Sequence, residues 1–324
     1  MTLPGPLQGA IAAWLERNGQ GGRRAGSDAL TATYRAGGSS AAVDLAAYLV
    51  ARLPATYAAV ARVLAETRAR RPDLAPESLL DAGSGPGTAS WAAVEAWPGL
   101  SRVTFLDTAP VFLKLAASLA TAGPRPLASA GAVAGSIEAP PGGLGADLVV
   151  AAYALAELPL PRAAAAAAML WAASRSLLVI VEPGTPQGFA RIRAAREVLL
   201  GQGAVPVAPC THALACPIAG DDWCHFSVRL ARSRAHMHAK GARVPFEDER
   251  FAYLVLAREG APSGLARVIA PPLHAKAGSS FKLCGSGGIE ARHVARRDGA
   301  AYKLARKLDW GSLLGASATA EDEA

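Results

Sequence analysis

From residue 78 onward, short apolar runs alternate with stretches of helical character. The runs are Ser78-Leu79-Leu80-Asp81, Val103-Thr104-Phe105-Leu106-Asp107, Ala146-Asp147-Leu148-Val149-Val150 and Ser176-Leu177-Leu178-Val179-Ile180-Val181. Strands of this kind, separated by helices, predict a parallel sheet covered on both faces, an α/β fold. Upstream, Leu45, Tyr48, Leu49, Leu53, Tyr57, Val60, Val63 and Leu64 recur at helical spacing, so residues 1–70 read as an N-terminal helical region in which Pro54 marks a break or a helix start.

After residue 204 the pattern is less regular. Val205–Ala208 is strand-like and Phe251–Ala257 is a clearer buried strand. The polar, His- and Cys-bearing stretch between them, roughly forty residues, is too long for an ordinary loop and reads as a functional insertion. Short strands follow at Ala266–Ala270, Phe281–Cys284 and Ile289–Val294, then a basic helix over Ala300–Leu308. The resulting organisation is a helical region (1–70), an α/β domain (71–260) with an insertion over 205–245, a basic β-rich module (261–315) and a disordered tail (316–324) ending in Glu321-Asp322-Glu323.

Composition refines this outline. A chain of 324 residues, 51% of them hydrophobic, can bury one sizeable core and a smaller module. No segment reaches the roughly 18 uninterrupted apolar residues of a membrane span. The first thirty residues carry Glu16, Arg17, Arg23, Arg24 and Asp28 and have no signal-peptide core, so the expected address is cytoplasmic, with no membrane partner. The net charge of +7 comes mostly from residues after 191, a footprint suited to a polyanion or to a solvated basic surface.

Candidate chemistry begins at Asp81-Ala82-Gly83-Ser84-Gly85-Pro86-Gly87, directly after the first predicted strand. Alternate glycines let the backbone turn tightly and approach a ligand, and the following helix offers unpaired N–H groups. A dinucleotide fingerprint would require glycine where Thr88 stands, whereas an acidic residue followed by G-x-G-x-G resembles motif I of the class I S-adenosylmethionine-dependent methyltransferases. Asp107, ending the next strand, is placed to bind ribose hydroxyls, with a helix N-cap as its alternative role and Thr108 beside it. Ser136-Ile137 falls at the usual adenine contact of that fold, and Tyr153 at the end of the fourth strand completes the expected cofactor set. The fourth-strand stretch Ala151-Ala152-Tyr153-Ala154-Leu155-Ala156-Glu157 has neither the Asn/Asp-Pro-Pro signature of amine methyltransferases nor the cysteine of cytosine-C5 enzymes. No catalytic residue is therefore assigned.

All four cysteines, Cys210, Cys216, Cys224 and Cys284, lie in the second half of the chain. Clustering of this kind argues for metal ligation, by zinc or by an iron–sulfur cluster. The absence of C-x2-C knuckles leans to a cluster without settling it. A centre joining the insertion to the C-terminal module would staple the two together.

At these residues the sequence closely resembles the methyltransferase-like family of mitochondrial small-ribosomal-subunit assembly proteins and their bacterial relatives. The resemblance runs through Tyr34-Arg35, Arg52-Leu53-Pro54-Ala55-Thr56-Tyr57, the Asp81–Gly87 loop and Val181-Glu182-Pro183-Gly184-Thr185-Pro186. It continues through Pro209-Cys210, Cys216-Pro217, Asp222-Trp223-Cys224-His225-Phe226 and Arg306-Lys307-Leu308-Asp309-Trp310-Gly311. It implies an S-adenosylmethionine pocket, a four-cysteine [4Fe-4S] cluster and association with the small ribosomal subunit or its rRNA, as an rRNA methyltransferase or an assembly factor. Arg292, Arg296, Arg297, Lys303, Arg306 and Lys307 then become candidate rRNA-binding residues whose phosphate contacts would be salt-dependent. The alternatives are a small-molecule or protein methyltransferase with a structural zinc and, disfavoured by the presence of four cysteines, a radical S-adenosylmethionine enzyme.

Overall fold

A computed structural model of the chain describes residues 1–19 and 44–314. Tyr34-Arg35, part of the N-terminal helical region and the acidic tail lie outside the described residues.

The main sheet is built from β1 (Ser78–Ala82), β2 (Arg102–Asp107), β3 (Gly131–Ala134), β4 (Ala146–Ala152), β5 (Ser174–Pro183), β6 (Val205–Ala208), β7 (Phe226–Ala231) and β8 (Phe246–Ala257). Its order is β3-β2-β1-β4-β5-β8-β6, with β7 also paired to β8. The first five strands are mutually parallel, and β8 runs antiparallel to β5 with Val181 opposite Tyr253. This order, with its one reversed strand beside β5, makes the chain an α/β protein with a class I methyltransferase sheet.

Because side chains alternate along a strand, each buried strand feeds two cores. Leu79, Phe105, Val150, Val179 and Val255 point to one side, under helices α1 (Gly5–Asn18), α2 (Leu53–Arg70), α3 (Thr88–Ala96) and α4 (Pro110–Ala120). Leu80, Leu106, Val149, Ile180 and Leu254 point to the other, under α5 (Leu160–Ala173) and α6 (Pro186–Gly201). The alanine run of α5 lets it approach closely, with Ala163, Ala166 and Ala167 buried. Pro54 starts α2 at its first turn, where a missing N–H costs nothing, after a π-helical turn over Tyr48–Arg52. In α6 Thr185 caps the helix by accepting from the Gly188 N–H.

The insertion contains more regular structure than its sequence led us to expect. The hairpin formed by β7 and β8 extends the sheet, and its two strands are connected through α7 (Arg234–Ala239). The second sheet comprises β9 (Ala266–Val268), β10 (Leu273–His274), β11 (Gly278–Gly285), β12 (Gly288–Ala295) and β13 (Leu313–Leu314). It encloses a small core of Val268, Phe281, Leu283 and Leu314, against which Ala305 of α8 (Gly299–Ala305) packs. This helix is shorter than the expected span of 300–308, so Arg306 and Lys307 sit on the turn that closes it.

Arg267 on β9 fastens this second sheet to the rest. It is almost completely buried and forms an ion pair with Glu66 of α2 at 2.5 Å. It also donates to the carbonyls of Pro209 and Gly311, so one guanidinium joins α2, the cysteine-bearing loop and the turn after α8.

Candidate functional site

The glycine loop links β1 to α3, and Gly83, Gly85 and Gly87 all have positive φ. A Cβ on Gly83 would lie 2.6 Å from that of Ala154, and one on Gly87 would meet the Phe105 ring at 3.0 Å. Close approach as well as left-handed backbone therefore requires glycine at these two positions. Asp107 closes the loop from the neighbouring strand: Oδ2 accepts from the Gly85 N–H and Oδ1 from the Ala109 N–H, both at 2.8 Å.

A cavity of about 250 Å³ opens over this loop at the C-terminal ends of β1 to β4. Gly83, Gly85, Asp107 and Thr108 line one side, and Ser136, Ile137 and Tyr153 line another. Three of the expected cofactor residues do not reach it. Ser84 is buried, Gly87 lies against the Phe105 ring, and Asp81 turns away to accept from the Ser90 N–H and hydroxyl at 3.0 and 2.7 Å. Burial raises the Asp81 carboxyl to about 7 despite those bonds, and nearby Asp107 adds to the rise. Asp81 thus holds the start of α3 in place and supports the loop from behind.

The cavity also has walls that the sequence reading missed. Tyr48 and Phe112 stand edge to face at 5.3 Å, while Arg162 and Glu138 form a two-pronged ion pair. Tyr48 lies within an apolar helical pattern, which gives no sign that it reaches a ligand site.

Tyr153 has φ 61°, the one positive φ at a non-glycine among the described residues. Such backbone is strained and is held by its surroundings. The Tyr153 N–H donates to the Val181 carbonyl at 2.7 Å, and its hydroxyl donates to Glu249 at 2.7 Å. Arg52 lies 4.1 Å over its ring and pairs with the same Glu249. Burial and the Glu249 charge push the phenol far above its ordinary range. Glu157, at the end of the fourth-strand stretch, also lines the cavity.

Cys210, Cys216, Cys224 and Cys284 line one further cavity, and all are free thiols. Burial raises Cys224 well above the usual thiol range, and the other three cysteines each add to the shift. Burial, then Cys210 and Cys216, raise Cys284 to about 11. These mutual effects mark four sulfurs that share one low-dielectric space. Among the described residues, however, no three His, Cys, Asp or Glu side chains reach the spacing that holds a metal ion. The expected ligand set is therefore assembled around a cavity without closing on a single ion. Protein groups engage two of its sulfurs: Arg196 Nε donates to Cys210 Sγ at 3.2 Å, and His212 Nε2 lies 3.8 Å from Cys284 Sγ.

Arg196 and Arg267 were missed beside this cavity, and both had a sequence signal. Arg196 falls on the apolar face of α6 with Phe189, Ile192 and Leu199, and Arg267 interrupts the apolar run Leu265–Ala270. A cation at a core position requires a buried acceptor or anion.

Of the candidate rRNA-binding residues, Arg292 is paired in two-pronged fashion with Glu290. Arg296, Arg297, Lys303, Arg306 and Lys307 are exposed around α8. Among the described residues no helix is long and apolar enough to cross a membrane.

Comparison with known proteins adds a family. A family model described as mitochondrial small ribosomal subunit Rsm22 matches residues 42–315. The human protein described as ribosome assembly protein METTL17, mitochondrial, is 32% identical over 287 residues, covering 82% of this chain and 61% of that protein. A Schizosaccharomyces pombe protein described as Rsm22-cox11 tandem protein 2, mitochondrial, is 25% identical over 324 residues, 82% of this chain and 42% of its own length. The chain thus spans less than two thirds of these relatives.

Among solved structures, the magnesium protoporphyrin IX methyltransferase of Synechocystis with bound S-adenosylmethionine has a TM-score of 0.41 at 16% identity, covering 63% of this chain and 80% of that one. The precorrin-6y C5,15-methyltransferase of Geobacter metallireducens has a TM-score of 0.40 at 16% identity, covering 62% and 86%.

The expected cytoplasmic address is overturned by these matches, since the family and the relatives named are described as mitochondrial. The expectation rested on the lack of an apolar leader, but mitochondrial leaders are amphipathic and Arg- and Ser-rich, so that lack excluded nothing.

Proposed function

Because the chain belongs to the Rsm22 family of mitochondrial small-ribosomal-subunit proteins, we propose that it binds S-adenosylmethionine and acts on the small ribosomal subunit during assembly, through its rRNA. The observation that carries the cofactor part is the meeting of Asp107 and Gly85 at the rim of the cavity over the glycine loop.

In this reading the Asp107 carboxylate accepts from the ribose hydroxyls, and Thr108 lies beside it. Backbone at Gly83 and Gly85 approaches the methionine end, with Asp81, Ser84 and Gly87 shaping the loop from behind. Ser136 and Ile137 face the adenine, and Tyr153 stands between this cavity and the ends of β5 and β8. When bound, the cofactor supplies an electrophilic methyl group on a sulfonium. The Tyr153 hydroxyl is already committed to Glu249, so we assign it a positioning role; the chain acts either as an assembly factor that binds the cofactor or as an rRNA methyltransferase.

The four cysteines fit a [4Fe-4S] cluster by the chemistry of the donor set. Four thiols share one buried space, and the guanidiniums of Arg196 and Arg267 supply positive charge beside Cys210. Such a cluster is held by cysteine thiolates, and burial without that countercharge keeps the thiols protonated. The exposed cations Arg296, Arg297, Lys303, Arg306 and Lys307, with Arg292 beside them, would contact rRNA phosphates.

Two experiments test this proposal. Anaerobically purified protein should contain about four iron and four sulfide per chain, and stoichiometric zinc without iron would defeat the cluster. A single-turnover assay with labelled S-adenosylmethionine and immature small subunits asks whether methyl reaches rRNA; cofactor binding without transfer identifies an assembly factor.

A further inference from the structure

A second cavity of about 450 Å³ lies at the C-terminal end of β5, beside the one over the glycine loop. Pro183, Gly184 and Thr185 line one side, and Lys240 with Glu247 to Arg250 at the start of β8 line another. The two cavities share a wall. Tyr153 lines the first, while its partners Arg52 and Glu249 line the second. A further wall is Trp223, whose Nε1 donates to the Gly184 carbonyl at 3.0 Å and on which His225 stacks at 5.2 Å.

The charges around this space are not evenly matched. Glu247 is held by Lys240, Arg232 and His236, Asp248 by Arg229, and Glu249 by Arg52. Arg250 has no ion pair among the described residues, whereas Arg191 is engaged: it donates to the Leu158 and Gln187 carbonyls, and its charge acts on buried Glu182. The acids lining this space are therefore compensated, and the exposed Arg250 guanidinium is left to face an incoming anion. An indole beside an unpaired guanidinium suits a nucleotide, because a base stacks on an aromatic ring and a phosphate pairs with arginine. The volume lies within the roughly 300–1,000 Å³ typical of small-ligand sites.

We propose that this second cavity receives a single nucleotide of RNA, its base against Trp223 and its phosphate at Arg250. The nucleotide is thereby held on the far side of Tyr153 from the cofactor cavity. The RNA source rests on the small-subunit reading above, whereas the cavity itself does not depend on cofactor occupancy.

The test uses the full chain, S-adenosylhomocysteine and a single-stranded RNA trinucleotide with a central 2-aminopurine, whose emission is quenched by stacking. The wild-type protein should quench this emission in the presence of S-adenosylhomocysteine. Trp223→Leu should abolish the quench, and Arg250→Glu, at an exposed position, should weaken trinucleotide binding on the order of tenfold. Both variants should keep wild-type affinity for S-adenosylhomocysteine by calorimetry, which also reports that they fold. No quench with the wild type overturns the proposal, as does equal quench and affinity across all three proteins. Failure of S-adenosylhomocysteine to bind any of them counts against the cofactor reading instead, and the trinucleotide result then stands by itself.

Discussion

The carboxylate of Asp107, at the end of β2, accepts a hydrogen bond from the backbone N–H of Gly85 in the loop after β1, at 2.8 Å. One acid therefore both orders the glycine loop and lines the cavity above it. Replacing it with alanine should lower S-adenosylmethionine affinity about 10- to 100-fold, the range for hydrogen bonds to a charged group. Calorimetric titration of Asp107→Ala against the wild-type chain measures this, and unchanged affinity would remove Asp107 from the site.

Gly87→Val should destabilise the fold by about 1–3 kcal/mol, because Gly87 has φ 78° and its Cβ would meet the Phe105 ring at 3.0 Å. A shift of the denaturant midpoint without a change in slope reports the loss. An unaltered midpoint would mean that the loop relaxes freely.

Arg267→Met should cost about 3 kcal/mol, since it leaves the Glu66 carboxylate buried without its nearest cation. The amides of β9 to β13 should lose protection in hydrogen exchange before those of β1 to β5. Arg267→Lys should not restore it, because one ammonium cannot reach Glu66, Pro209 and Gly311 together.

Stability should fall between about pH 4 and pH 8 because of two buried acids. Burial raises Asp81 to about 7 and Glu182 to about 8, the latter against the Arg191 charge and the Leu155 N–H. Both folded values lie above the unfolded ones, so the folded state binds the extra protons. The stabilisation is full below the unfolded values and is lost as pH rises through 7 and 8. Asp81→Asn and Glu182→Gln should each flatten that slope in denaturant midpoints measured across pH. Glu247 acts with the opposite sign: burial alone would raise it, but its bonds from His236 and Lys240 bring it to about 2. Its stabilisation is present above about pH 4.5 and is lost as pH falls toward 2.

The strands of the main sheet were legible because apolar runs such as Leu177–Val181 are buried on both faces, and burial on both sides leaves no room for polar residues. The glycine loop was legible for a similar reason, since close approach to Ala154 and Phe105 excludes any side chain. Which carboxylate faces the cavity was not. Asp81 and Asp107 both end strands, and only the position of α3, whose Ser90 captures Asp81, separates a supporting acid from a lining one. Strand β7 was hidden although Phe226, Val228 and Leu230 alternate with polar or small residues, because the surrounding His and Cys residues drew the stretch toward a loop assignment. Arg52 and Glu249 are 197 residues apart, a pairing that no local pattern contains.

The central claim is that the glycine-loop cavity binds S-adenosylmethionine in a protein that works on small-subunit precursors. Sedimentation of the chain with immature small subunits and labelled S-adenosylmethionine tests it most directly. Protein and label should travel together with the particle, and Asp107→Ala should remove the label while the protein remains bound. A chain that binds no label, or that stays at the top of the gradient with its cofactor, would contradict the account.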